Sequence, residues 1–209
     1  MTAAGVDLVI TEYPPAVTRA LARHYEVIRR RIERLAGVPV RSRAYTQPGD
    51  FVASAVILSG SFAPWAMHDP DALARLGDTV KRFDGPVLGI CAGMQLQAIF
   101  AGGAIASRER PAVGYGTIEV LDDGDLLTGL GVSAVAYEHH SWDVVTLPDD
   151  FEVLARSEDC AVEAVRTRER RWWGTQFHPE RFTRQHPAGA HVLRNFLALA
   201  GVGSARELA

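Results

Sequence analysis

The segment Pro86-Val87-Leu88-Gly89-Ile90-Cys91-Ala92-Gly93-Met94-Gln95-Leu96 runs a short apolar stretch into a helix-forming one, and a cysteine stands at the junction. Glycine lies two residues before it and two after, the spacing of a nucleophile elbow with sulfur in place of oxygen. A sharp strand-to-helix turn forces its central residue into strained backbone, and flanking glycines remove the side chains that would clash there. The thiol then projects above the C-terminal edge of the sheet, where open α/β folds bind ligands. A helix start offers unpaired N–H groups and partial positive charge, which favour a thiolate. The N–H of Ala92 can donate to an oxyanion formed at an attacked carbonyl. A small buried core cysteine is the competing interpretation. The glycine spacing and the strand–helix setting oppose it.

A thiol nucleophile needs a histidine held by a third polar group. The chain has 7 histidines. His178 stands out, because it follows a strand candidate in Trp172-Trp173-Gly174-Thr175-Gln176-Phe177-His178-Pro179-Glu180. Glu180 comes two residues later with Pro179 fixing the turn, so the pair can present a base and the carboxylate that orients it. His139 and His140 are adjacent on a strand candidate and point to opposite faces, so one metal site for both is not expected. His24, His68, His186 and His191 lack motif support and read as surface or satisfied core residues. Cys160, beside Glu158 and Asp159, has no activating context. Trp172 and Trp173 read as packing residues. No metal and no cofactor are expected.

The elements that must position Cys91 and His178 alternate along the first two-thirds of the chain. Strands are expected at Val6–Ile10, Val38–Tyr45, Ala53–Leu58 and Pro86–Ile90, and helices at Ala16–Ala36, Asp71–Phe83 and Ala92–Phe100. Gly37 stops the first helix, Asp69-Pro70-Asp71 starts the second, and Gln47-Pro48-Gly49-Asp50 breaks the second strand. Ser59-Gly60-Ser61-Phe62-Ala63-Pro64 is a loop at the C-terminal end of a strand buried on both faces. Later come short strand candidates at Thr117–Leu121, Ala134–Glu138, Val144–Leu147, Val153–Arg156, Ala161–Arg166 and Trp172–Gln176, then a helix at Pro187–Leu199. The rhythm predicts an α/β fold: a flavodoxin-like, open, mostly parallel sheet with helices on both faces and a smaller antiparallel extension. Residues 1–209 read as a single domain, with no repeat and no dividing linker.

Composition bounds the function. The net charge is −3 and the pI about 6.2, which argues against nucleic acid or an anionic membrane as partner. The run Arg29-Arg30-Arg31 with Arg34 sits beside Glu26 and Glu33 and reads as a solvated helix face. No secretory signal is visible, and no apolar stretch approaches the ~18 residues of a membrane helix. Two cysteines without a disulfide pattern fit a cytoplasmic setting. No P-loop occurs.

Gly89-Ile90-Cys91-Ala92-Gly93-Met94-Gln95 and Gly174-Thr175-Gln176-Phe177-His178-Pro179-Glu180 together resemble the two signatures of class I glutamine amidotransferases, in the right order along nearly the whole chain. The resemblance implies L-glutamine as substrate. Cys91 would form a γ-glutamyl thioester, His178 would activate the thiol, protonate departing ammonia and activate water, and Glu180 would orient His178. Gln95 matches a substrate-contacting position. Leu58-Ser59-Gly60-Ser61-Phe62 is similar to the oxyanion loop, with Gly60 kept but Ser61 and Phe62 where glycine and proline are expected. Serine is costly there if positive φ is required, so the departure points to a reshaped loop or one ordered in a complex. Glu138-His139-His140-Ser141-Trp142 resembles the segment whose backbone holds the α-amino and α-carboxyl groups of glutamine, with Ser141 and Trp142 at the matched positions. Val113-Gly114-Tyr115-Gly116-Thr117 also looks familial. The chain is too short to hold a synthetase as well, so ammonia would pass to a separate synthetase or acceptor protein. The alternatives are a stand-alone γ-glutamyl hydrolase and a degenerate binding or regulatory subunit.

Overall fold

The structure is a computed structural model that describes residues 3–202. Its strands are β1 (Ala3–Ile10), β2 (Val40–Ala44), β3 (Ala53–Leu58), β4 (Val87–Ile90), β5 (Ala104–Val120), β6 (Ser133–Thr146), β7 (Phe151–Arg156), β8 (Ala164–Thr167) and β9 (Trp172–Thr175). Its α-helices are α1 (Arg19–Ala36), α2 (Pro70–Arg82), α3 (Ala92–Phe100) and α4 (Ala188–Leu199). All nine strands join one sheet in the order β2-β1-β3-β4-β9-β8-β7-β5-β6. The first five are mutually parallel, in flavodoxin-like order with β9 as the fifth. β8, β7, β5 and β6 extend the sheet antiparallel.

Strand periodicity divides the core in two. Leu8, Ile57, Leu88 and Ile90 face one side, where Tyr25, Ile28, Ile32 and Ala36 of α1 and Val192, Leu193, Phe196 and Leu197 of α4 cover them. Val9, Val56, Leu58 and Val87 face the other, under Ala72, Leu76 and Val80 of α2 and Met94, Leu96 and Ala98 of α3. Trp173 belongs to the first core and Trp172 to the second, so both tryptophans pack. No helix among the described residues is long and apolar enough to cross a membrane.

Helix ends follow local chemistry. Thr18 caps α1 by accepting from Leu21 N, and Gly37 closes it in the left-handed conformation at φ 65°. The helix starts later than the expected Ala16 because Pro14–Ala16 forms a separate 3-10 turn. Asp69 caps α2 through Asp71 N and Ala72 N, with Pro70 in the first turn.

The chief departure from expectation is the hairpin β5–β6. The short strands expected at Thr117–Leu121, Ala134–Glu138 and Val144–Leu147 are parts of strands of 17 and 14 residues. Polar stretches such as Arg108-Glu109-Arg110 and Glu138–Ser141 carry no alternation, yet cross-strand pairing extends to both sides of them. The register shifts between Ser107 and Ala112, and Pro111, which has no ladder donor, falls inside that irregular stretch.

Candidate active site

Cys91 caps the N-terminus of α3 at φ 51° and ψ −109°, a strained conformation for a non-glycine residue. Its N–H donates to Thr175 O at 2.7 Å, which continues the β4–β9 pairing into the turn. Neither Gly89 nor Gly93 has positive φ. Both are required for space: a Cβ on Gly89 would stand 2.6 Å from Met94 N, and one on Gly93 would strike the Leu58 carbonyl.

β9 and the turn after it deliver the histidine. His178 N–H donates to Tyr137 O at 2.7 Å, so β6 fixes the backbone, and His178 Nδ1 meets Glu180 Oε1 at 2.7 Å. The opposite ring nitrogen, Nε2, faces His139 O at 3.4 Å, and the Cys91 thiol reaches the same carbonyl at 3.8 Å. Imidazole and sulfur therefore converge over one backbone oxygen of β6. Burial alone would lower the His178 pKa, but Glu180 and the neighbouring Cys91 hold it well above its ordinary value. Burial would raise Glu180; the His178 charge outweighs it and holds the carboxyl low. Such a pair favours a proton on the imidazole, the arrangement general acid chemistry needs.

Gly60 closes over the pair. A Cβ there would lie 2.8 Å from His178 Cε1 and 3.5 Å from Cys91 Cβ. Gly60 and Ser61 both avoid positive φ, so Ser61 carries no left-handed strain, and the loop is formed within this chain. A cavity of about 250 Å³ opens beside the sulfur, lined by Ser61, Phe62, Ala92, Gln95, Ser141 and Trp142 among others. The expected substrate-binding positions are thus gathered round Cys91. Gln95 is buried, and its amide donates to Trp142 O at 2.7 Å and Gln176 Oε1 at 3.0 Å, which ties α3 to β6 and β9.

Sequence reasoning missed several neighbours of the site. Gln176 Nε2 donates to Cys91 Sγ at 3.6 Å; it lay inside the histidine motif, yet only the fold turns it toward the sulfur. Glu12, just past β1, accepts from the Gly60–Ala63 loop. His68 Nε2 lies 3.4 Å from Ser61 Oγ, and the His24 ring packs edge-on to Phe62, so both border this loop. His139 is exposed, whereas His140 is buried against Asp143 at 3.0 Å. Burial would lower the His140 pKa, but Asp143 and Glu138 raise it to about 9. Cys160 is buried, and burial with Glu163 and Asp143 nearby pushes its thiol pKa up.

Comparison with known proteins agrees with this geometry. Residues 22–200 match the family model described as glutamine amidotransferase class-I. The glutamine-hydrolysing subunit of GMP synthase from Pyrococcus furiosus is 40% identical over 58% of this chain and 63% of its own length. Its counterpart from Pyrococcus abyssi is 36% identical over 71% of this chain and 76% of its own length. A solved structure from Thermoplasma acidophilum, provisionally named as the same GMP synthase component, superposes with a TM-score of 0.76 at 25% identity, covering 94% of each chain. With its family model spanning most of the sequence and its elbow cysteine facing a histidine–glutamate pair, this chain belongs to the class-I glutamine amidotransferase family.

Proposed function

We propose that the chain is a glutamine-hydrolysing subunit that releases ammonia for a separate synthetase, with Cys91, His178 and Glu180 as its catalytic residues. The observation that carries this reading is the convergence of the Cys91 thiol and His178 Nε2 on the His139 carbonyl, with Glu180 behind the imidazole at 2.7 Å.

In this reading the Cys91 thiolate attacks the glutamine carboxamide carbon. The oxyanion is met by Ala92 N–H at the start of α3 and Ser61 N–H of the loop. His178 gives its proton to the departing nitrogen, the C–N bond breaks, and ammonia leaves a γ-glutamyl thioester. His178 then takes a proton from water, whose oxygen attacks the thioester carbon, and glutamate and the thiolate are regenerated. Gln95, Ser141 and Trp142 form the wall against which the amino-acid end of glutamine rests. The names of the relatives favour a purine-nucleotide synthetase as the acceptor enzyme. A single working unit over residues 1–209 and a cytoplasmic setting belong to the same proposal, supported by the one continuous sheet and the two free cysteines.

The test is Cys91→Ala. Glutamate release is expected to vanish while the thermal melting transition is retained. Glutamine turnover at the wild-type rate in that variant refutes the assignment.

A further inference from the structure

We propose that Glu12 is a positioning residue that sets the oxyanion loop from beneath; the inference rests on the proposed glutamine hydrolysis. Glu12 lies two residues past the end of β1 and is 1% exposed. Its Oε2 accepts from Phe62 N at 2.8 Å, and its Oε1 from Ala63 N at 3.0 Å and Ser61 Oγ at 3.2 Å. Tyr13 N at 3.1 Å and Tyr25 OH at 3.1 Å complete the shell. Among the described residues no cation pairs with this carboxylate, so its charge is met by N–H and O–H dipoles, as in an anion-binding nest.

The loop carbonyls are held from the other side. Thr11 Oγ1 donates to Ser59 O at 2.7 Å and lies 3.1 Å from Gly60 O, and Ser59 Oγ donates to Gly60 O at 2.8 Å. Tyr25 OH lies 3.1 Å from Gly60 O as well as from Glu12. With the N–H groups of Phe62 and Ala63 committed to Glu12, the N–H of cavity-lining Ser61 meets no acceptor among the described residues. That N–H is free to donate to substrate.

This accounts for both departures of the loop from the expected glycine and proline. Proline has no N–H and could not make the 2.8 Å bond of Phe62. Glycine has no hydroxyl to reach Glu12 as Ser61 does. Rigidity that a proline ring would supply locally comes here from a buried carboxylate at the end of a neighbouring strand. Any other loop conformation strands that carboxylate without its donors, which is costly in a buried site. The loop is therefore set within the chain, and the hydrolytic step does not wait for a partner to order it.

The experiment compares the wild-type chain, Glu12→Gln and Glu12→Asp without a partner. A glutamine side chain turns a donor toward at least one of the N–H groups it should accept. In Glu12→Gln, kcat for glutamate release is expected to fall about 10–100-fold with KM little changed, below the roughly 10²–10³-fold cost of losing an oxyanion donor outright because the donor is displaced rather than removed. Alkylation of Cys91 by iodoacetamide, which develops no oxyanion, is expected at the wild-type rate. Amide exchange at Phe62 and Ala63 is expected to accelerate. Glu12→Asp keeps the charge, is expected to recover part of kcat, and serves as the test if the amide variant does not fold. Wild-type kcat or unchanged amide protection in both variants overturns the role of Glu12 alone. A wild-type chain that alkylates but hydrolyses no glutamine, with or without a synthetase, overturns the underlying reading instead.

Discussion

Gly60→Ala probes the contact on which the site geometry turns. The added Cβ would stand 2.8 Å from His178 Cε1. Carbon atoms pack at roughly 3.5–4.0 Å, so something must move by about 0.7 Å. The loop cannot readily supply that movement, because Gly60 O is held by Thr11, Ser59 and Tyr25. The imidazole yields more easily: the His178 side chain retains 10% exposure and is fixed mainly by Glu180. Displacing the ring draws Nδ1 off Glu180 and Nε2 away from the sulfur. A misplacement near 1 Å costs about 10²-fold, so kcat should fall roughly 10–100-fold. Stability should change little. Gly60 has no positive φ, and the alanine gains about 0.4–1 kcal/mol by restricting the unfolded chain, which offsets part of the strain. Steady-state glutamate release and a circular-dichroism melt measure the two quantities. Wild-type kcat would show that the ring does not depend on the space above Gly60. A collapse of the melting transition alongside activity would show that the loop is a folding element rather than a site element.

Two further outcomes follow from charge. Glu180→Gln removes the carboxylate that holds the His178 pKa up against burial. The imidazole titration, followed by NMR, should move down, and kcat should fall by about 10²-fold or more, within the range of general acid–base assistance. Because the folded His178 pKa is raised, its stabilising contribution is full below the ordinary value of 6.5 and is lost as pH rises through the folded one, so Glu180→Gln should flatten that dependence. An unmoved titration would mean that Glu180 does not set the base. Glu163 is pushed by burial, and by Glu138, from 4.5 to about 7, while His140 and Ser157 pull it down. Here the native state binds the extra proton, so stability should fall as pH rises from 4.5 to about 7. Glu163→Gln, neutral throughout, should lose that slope. Melts across the interval that keep the wild-type slope would refute it.

The sequence was most legible where chemistry and local geometry coincide. Gly89-x-Cys91-x-Gly93 needs only a strand, a turn and a helix, and the elbow forms where the spacing put it. β3 and α3 have the expected boundaries, because continuous apolar runs and clear breakers leave little choice. The hairpin was less legible. Glu138–Ser141 is polar and lacks alternation, so its pattern gives neither the length nor the partner of the strand, and pairing with Val113 and Ala112 decides both. That strand carries the His139 carbonyl on which thiol and imidazole meet.

By itself the sequence singled out Cys91 at its elbow, His178 and Glu180 as the residues proposed for catalysis, and it determined the alternation that builds the parallel sheet. These depend on residue type and short spacing, which a strand or helix converts directly into position. Tertiary structure alone decided which distant groups tune them. Gln176 turns toward the sulfur from 85 residues away, and Glu12 holds a loop 49 to 51 residues downstream. Neither pairing has a period or a local motif. They exist because adjacent parallel strands bring their C-terminal ends to one edge, where a buried carboxylate must find its donors on whichever loop the topology sets beside it.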